Sequence, residues 1–316
     1  MFSPIRQPPL PPDQLIYSCH PTPAGREAAN MIERIAIVGT GLLGTSLGLA
    51  LRAARFTGSI VGWNRSVDGG REALAMGAVD LVATDAIELA RGSDIVVLCV
   101  PIYSTLDFME QLAPELTPRH LITDVGSTKG QITAAAGRLF NTPERAAFLP
   151  GHPMAGKERG GASLGEAGLF RGAVWLFTDD PGWQRSPRGA ELAEEWREWV
   201  TAMGAKAIDL DAQRHDELVA WVSHLPQFAA TALSALLEDQ VGDAPELKHV
   251  GGRALREMTR LGASPFSMWR DIAHTNTAAI EAALHALEQR LAHIRENLRT
   301  PALREEFERA NAFRRE

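Results

Sequence analysis

From Ile32 onward the apolar positions come in short runs, each followed by a glycine or polar turn and then a stretch with helical spacing. Arg34–Gly39 is such a run, Leu42–Ala54 repeats at the helical period, Ser59–Trp63 is apolar again, and a further helix is expected near Gly70–Met76. This alternation predicts a parallel sheet with helices on both faces, because parallel neighbours are joined by crossovers. Further strands are expected at Asp94–Val100, His120–Asp124, Ala147–Pro150, Ala173–Thr178 and Ala205–Leu210, with helices such as Tyr103–Leu112 and Ala190–Met203 between them. Past Asp211 the strand pattern stops. Leu218, Val222, Leu225, Ala229, Ala232 and Leu236 recur at helical spacing, and Ile280, Leu284, Leu287, Leu291 and Ile294 do the same within Thr275–Leu298. That second stripe needs a partner helix, in this chain or in a second subunit. Pro226 has no N–H for the Val222 carbonyl, so a kink is expected beside Ser223 and His224.

The expected fold class is therefore α/β, with a parallel-sheet domain over residues 31–209 followed by an all-helical domain over residues 210–316. Residues 1–30 hold Pro4, Pro8, Pro9, Pro11, Pro12, Pro21 and Pro23 and are expected to form a disordered tail. With 45% hydrophobic and 22% charged residues over 316 positions, the chain can build two cores. Its net charge of −7 offers no general attraction to nucleic acid or anionic lipid, so an anionic ligand must be held by a local basic cluster. No apolar run approaches the ~20 residues that span a bilayer. Cys19 and Cys99 suggest no disulfide framework, and Cys99 sits in the apolar run Ile95–Val100 as an expected buried thiol. A cytoplasmic location fits these features.

Gly39-Thr40-Gly41-Leu42-Leu43-Gly44 follows a strand and opens a helix, the context in which glycines let backbone amides and the helix dipole meet a pyrophosphate. The first domain is thus expected to be of Rossmann type. Some twenty residues on, where an acidic residue would bind the ribose hydroxyls of NAD, the chain has Asn64-Arg65-Ser66. The missing carboxylate and the presence of Arg65 tilt the expected cofactor, NAD(P), toward NADP. Val100 and Pro101, at the end of a central strand, complete the expected cofactor set.

Three motifs bear on chemistry: Asp124-Val125-Gly126-Ser127-Thr128-Lys129, Gly151-His152-Pro153-Met154-Ala155-Gly156-Lys157-Glu158, and Ser223-His224-Leu225-Pro226-Gln227. Together with Gly251-Gly252-Arg253-Ala254-Leu255-Arg256-Glu257-Met258-Thr259-Arg260, Ser264-Pro265 and Met268-Trp269-Arg270-Asp271-Ile272, they make the chain from residue 32 to about residue 295 resemble the prephenate dehydrogenase family. That resemblance implies oxidative decarboxylation of prephenate, or of its amino counterpart arogenate, on the route to tyrosine. It implies His152 as the catalytic group and Ser127 near the substrate hydroxyl and the nicotinamide. Arg260, Arg256, His224, Glu158 and Trp269 are then expected around the substrate. Arg256 and Arg260 stand four apart and would share a helix face, offering bidentate donors to two carboxylates. Two positions depart from the family pattern: Lys157 stands where many members have a small Thr, and Gln227 where many have a second His.

In the chemistry so implied, neutral His152 accepts the hydroxyl proton as hydride passes to the nicotinamide and carbon dioxide leaves. No metal is needed, and no Cys/His spacing suits one. Two rivals remain. Hydroxy-acid and imine reductases usually rely on a Lys in the helical domain, and here only Lys248 follows Lys206. A non-catalytic dinucleotide sensor leaves His152, Ser127 and the arginine pair without a task. A homodimer through the helical domain is expected, with no nucleic-acid or membrane partner.

Overall fold

The computed structural model describes residues 31–315, so the expectation for residues 1–30 lies outside the described part. The chain divides into two compact units. The first runs up to His215 and takes in Pro265–Ile272, and the second holds Asp216–Ser264 and the residues from Ala273 on.

In the first unit, strands and helices alternate: β1 (Arg34–Val38), α1 (Leu42–Ala53), β2 (Ser59–Trp63), α2 (Val67–Ala75), β3 (Leu81–Val82), α3 (Ala86–Arg91), β4 (Ile95–Leu98), α4 (Ile102–Leu112), β5 (Leu121–Asp124), α5 (Gly130–Leu139) and β6 (Ala147–Leu149). The six strands form one sheet in the order β3-β2-β1-β4-β5-β6, every pair parallel. This is the doubly wound order, whose direction reverses between β1 and β4. β4, β5 and β6 are buried at every position, which is why they read as unbroken apolar runs rather than alternating ones.

The remaining strands depart from the single expected sheet. β7 (Gly151–Pro153), β8 (Val174–Phe177) and β9 (Lys206–Asp209) make a separate three-stranded sheet, with β7 antiparallel to β8 and β8 parallel to β9. The break falls at Pro150, which lacks a ladder donor and turns the chain out of β6. Gly151 then passes so close to the first sheet that an added Cβ would lie 2.9 Å from the Asp124 carbonyl oxygen and 2.8 Å from the Trp175 indole nitrogen. α6 (Pro187–Ala202) closes this layer, with Trp196 edge-on to Trp175 in the shared core.

α7 (Ala212–Val219) leads out of the first unit. It continues into a π-helical turn at Ala220–His224 and then α8 (Leu225–Val241). Here the expected kink takes a definite form. Pro226 cannot donate to Val222, and the helix widens just before it, so that the Leu225 N–H reaches back five residues to the Ala220 carbonyl. α9 (Leu247–Val250), α10 (Arg253–Thr259), α11 (Phe266–Thr275), α12 (Thr277–Glu296) and α13 (Pro301–Arg315) follow. The start of α11, expected in the helical domain, clusters instead with the first unit. Its buried Asp271 carboxylate accepts from the Tyr103 N–H, 3.4 Å away, at the start of α4, whose own N-cap is a proline without a capping side chain. No helix among the described residues is long and apolar enough to cross a membrane.

Candidate active site

The Gly39–Gly44 turn, Val100 with Pro101, and Ser127 follow the carboxyl ends of β1, β4 and β5, the edge where an open parallel sheet binds ligands. Gly39 follows β1 with φ +100°, a backbone that favours glycine, and an added Cβ there would lie 2.4 Å from the Cys99 carbonyl oxygen. It thereby packs against the end of β4, where Val100 and Pro101 open α4. Gly44 sits equally tightly, 2.1 Å from the Gly39 carbonyl oxygen by the same measure, which sets α1 directly against the turn. Gly41 differs: nothing lies near the place its Cβ would fill. The N-terminus of α1 carries no side-chain cap and no acidic residue in its first turn, and Leu42 and Leu43 supply the amides next in line. Open backbone, an uncapped helix end and no competing carboxylate fit a dinucleotide pyrophosphate.

The ribose end is more ordered than the sequence suggested. Thr40 is buried and links two elements, its hydroxyl donating to the Gly69 carbonyl at 3.2 Å and accepting from the Asn64 side-chain amide at 3.0 Å. The Asn64 carbonyl oxygen in turn accepts from the Ser66 N–H at 3.2 Å, and the Ser66 hydroxyl caps α2 through the Gly69 N–H. Asn64 and Ser66 are thus framework as much as ligand candidates, whereas Arg65 projects into solvent. Cys99, expected as a buried thiol, is only half-buried as a residue; desolvation of its thiol and the nearby Asp124 charge hold it above its ordinary pKa.

Ser127, in the turn after β5, and His152, in β7, are linked by one buried ion pair. Asp124 ends β5 and Lys129 precedes α5; both are fully buried and their charged groups are paired. The Asp124 carboxylate also accepts from the Gly126 N–H at 2.7 Å and the Gly151 N–H at 3.2 Å, while Lys129 Nζ donates to the Gly151 carbonyl at 2.7 Å. The pair therefore grips the residue before Ser127 and the residue before His152 at once. His152 is itself buried in β7, and its Nδ1 lies 2.9 Å from Nε2 of His215, a buried residue in the first turn of α7. Sequence reading passed over Asp124, Lys129 and His215 as site residues. Lys129 and Asp124 were visible five apart in the motif that holds Ser127, but their burial was not, and His215 offered only a lone histidine on a helix.

In the loop after β7, Glu158 is half-buried and Lys157 is engaged locally, donating to the Leu164 carbonyl at 2.9 Å and pairing with Glu166 at 3.1 Å. Trp269, in the first unit's portion of α11, is half-buried.

In the second unit, His224 is buried within the π-helical turn, with Nδ1 3.4 Å from the Asn276 side-chain amide. Arg256 lies within α10, and Arg260 is its C-cap, still with helical backbone angles. α10 ends at Thr259, and Arg260–Ala263 tightens into a 3-10 turn. Gln227 ties this turn to α8: its amide donates to the Leu261 carbonyl at 2.7 Å and its side-chain carbonyl accepts from the Ser264 hydroxyl, just past the turn, at 3.1 Å. Gly262 fits against Ser234 with no room for a Cβ. Both arginines are exposed.

Family models for prephenate dehydrogenase match nearly all of the described chain, the nucleotide-binding domain over residues 47–207 and the dimerization domain over residues 211–311. The chain belongs to the prephenate dehydrogenase family. A prephenate dehydrogenase of Lactococcus lactis subsp. cremoris is 32% identical over 269 residues, which is 84% of this chain and 70% of that enzyme. The crystal structure of prephenate dehydrogenase from A. aeolicus in complex with hydroxyphenyl propionate and NAD+ has a TM-score of 0.78 and 26% identity, covering 90% of this chain and 97% of that one. Synechocystis arogenate dehydrogenase has a TM-score of 0.70 and 28% identity, covering 89% and 98%. The chain is accordingly an oxidoreductase of this family that uses a nicotinamide dinucleotide, and the family's reaction is the oxidative decarboxylation of prephenate in tyrosine biosynthesis.

Proposed function

We propose that this chain converts prephenate to 4-hydroxyphenylpyruvate with NADP as the favoured acceptor, that His152 is the general base, and that the working form is a homodimer. The observation that carries the reading is the placement of His152: buried in β7, joined to His215, and tied through the Asp124–Lys129 pair to the Ser127 turn at the dinucleotide-binding edge of the sheet.

The substrate ring cannot become aromatic until its hydroxyl-bearing carbon loses hydride and the opposite carbon loses carboxylate. The nicotinamide, when bound, supplies the hydride acceptor. His152 takes the hydroxyl proton; with Nδ1 engaged by His215, the accepting atom is Nε2. The O–H electron pair becomes the second bond of a carbonyl as hydride leaves; when the carboxylate bond breaks, its electrons enter the ring, the displaced pair returns to that oxygen, and the oxygen takes up a proton as the product's phenol hydroxyl. Ser127 orients the hydroxyl. Arg260, with Arg256, holds the substrate carboxylates, while His224, Glu158 and Trp269 shape the surroundings. For the cofactor, the end of β2 offers Asn64 in place of a carboxylate, Arg65 is exposed beside it, and the next acid along the chain, Asp68, lies 3.7 Å from Arg71. These features favour a 2′-phosphate.

Purified protein should reduce NADP, and NAD less efficiently, only when prephenate is added, read at the nicotinamide absorbance band. Turnover with arogenate alone would move the substrate to the amino counterpart, a second reading favoured by the arogenate dehydrogenase of like fold. No reduction with either would remove the enzymatic reading.

Arg260→Ala is expected to raise the Michaelis constant for substrate by roughly ten- to a hundredfold, since a charged hydrogen bond is worth ~1.5–3 kcal/mol. Turnover should change less, because ground and transition states share the contact. Arg260→Lys should recover only part of the loss. An Ala variant with wild-type substrate affinity would make Arg260 an ordinary surface residue.

The homodimer has two supports. Residues 211–311 match a dimerization domain. The helical stripes leave Val222 65%, Leu236 57% and Leu291 57% exposed in the single chain, apolar surface that a second copy could cover. Light scattering at micromolar protein should give twice the chain mass of 34.3 kDa. A monomer mass would count against the assembly.

A further inference from the structure

His215 is fully buried, yet its contact with His152 is polar rather than apolar. Nε2 of His215 lies 2.9 Å from Nδ1 of His152, the ring centroids are 5.1 Å apart and the planes are inclined by 60°, so the rings meet through nitrogen atoms at their edges. The position is fixed by local structure. Asp211 caps α7, its carboxylate accepting from the Arg214 N–H at 2.8 Å and its carbonyl from the His215 N–H at 2.9 Å. Only Leu210 and Asp211 separate the end of β9 from α7, so β9, in register with β8 and through it with β7, sets where His215 stands against His152.

A hydrogen bond between two neutral imidazoles holds a single proton, and its location fixes the tautomer of both rings. With the proton on His152 Nδ1, the His152 Nε2 has a lone pair and can act as a base. With the proton on His215 Nε2, His152 must carry its own proton on Nε2 and cannot.

We propose that His215 is a positioning residue that holds His152 in the Nδ1–H tautomer by accepting that proton at Nε2, an inference that rests on the reading of His152 as the general base. His215 touches no reacting atom. When His152 Nε2 takes up the substrate proton, the ring becomes an imidazolium, and its Nδ1–H···Nε2 bond to His215 becomes charge-assisted and stronger. The partner thus aids the base both before and after the proton moves. In serine hydrolases the buried residue behind the catalytic histidine acts on the same principle, and imposing the wrong tautomer there lowers turnover by ~10⁴.

The experiment compares His215→Leu, His215→Gln and wild type, with His152→Asn as reference. Leu fills much of the space but cannot accept a hydrogen bond; the Gln amide can place a carbonyl oxygen near the former Nε2. Expected for Leu is a fall in kcat of about a hundredfold or more, with the Michaelis constant and dinucleotide affinity within about threefold of wild type. Gln should recover turnover to within about tenfold of wild type. Nitrogen-15 NMR of ring-labelled histidine, with the His152 signal assigned by its loss in His152→Asn, should show the proton on Nδ1 in the wild type and a shift toward Nε2 in the Leu variant. A wild-type His152 protonated on Nε2 overturns the proposal, whether or not the Leu variant folds. So does a Leu variant that turns over like wild type, or a folded Gln variant as inactive as Leu. If His152→Asn itself keeps its turnover, the base assignment fails; if that variant collapses while His215→Leu does not, only the role of His215 fails.

Discussion

Replacing His152 with Asn is expected to leave a folded protein that binds dinucleotide but turns over its substrate ~10²–10⁴-fold more slowly, the usual contribution of a general base. Asn is the informative replacement because its side-chain amide ends near the place of the imidazole Nδ1. It can keep the hydrogen bond toward His215 while offering nothing where Nε2 stood. The backbone of β7 should hold, since residues 151–153 are paired to Phe177, Leu176 and Trp175 of β8 irrespective of the side chain. The dinucleotide turn at Gly39–Gly44 lies after another strand and should keep its affinity. Steady-state kinetics, dinucleotide titration and a denaturation midpoint read these three consequences separately. Turnover within about threefold of wild type would remove His152 from the mechanism.

The fold was legible wherever a strand is buried on both faces and a turn carries glycines. β1, β4, β5 and β6 announce themselves as apolar runs, and the glycines after β1 mark the phosphate turn. What sequence concealed is pairing. Residues 174–177 and 206–209 look like more of the same sheet, and only the reversal at Pro150, with Gly151 pressed against β5, diverts them into a second one. The same limit applies to the site. Ser127, His152 and Arg260 stood out because their motifs are unusual and resemble those of a known family. Asp124, Lys129 and His215 act through burial and through partners 22 to 63 residues away, and period or composition carries no signal for such separations. Gln227 is a related case. It stands out in the sequence only as a departure from the family pattern, while the fold engages its amide at both ends, with the Leu261 carbonyl and the Ser264 hydroxyl.

Removing one half of the buried pair is expected to be the most damaging single change to stability. Lys129→Met leaves the Asp124 carboxylate in a site with no exposure and without its counter-charge, a situation that costs ~3–5 kcal/mol in buried pairs. It also strips the Gly151 carbonyl of the Lys129 hydrogen bond. Asp124→Asn should be milder, because an amide oxygen can still accept from Gly126 or Gly151, although Lys129 then loses the Asp124 counter-charge. Replacing both partners with apolar residues of similar size often restores stability where the two charges serve only each other. Here they do not. Two backbone N–H groups depend on the carboxylate and one carbonyl on the ammonium, and each buried group left without a partner costs ~1–3 kcal/mol. The Asp124→Leu/Lys129→Met double variant should therefore stay well below wild type in urea denaturation, and in whatever fraction folds, turnover should fall further than dinucleotide affinity, because Ser127 and His152 lose their common anchor while the Gly39–Gly44 turn does not. A double variant as stable and active as wild type would show that the pair is dispensable, and that Ser127 and His152 are placed by the strand pairing alone.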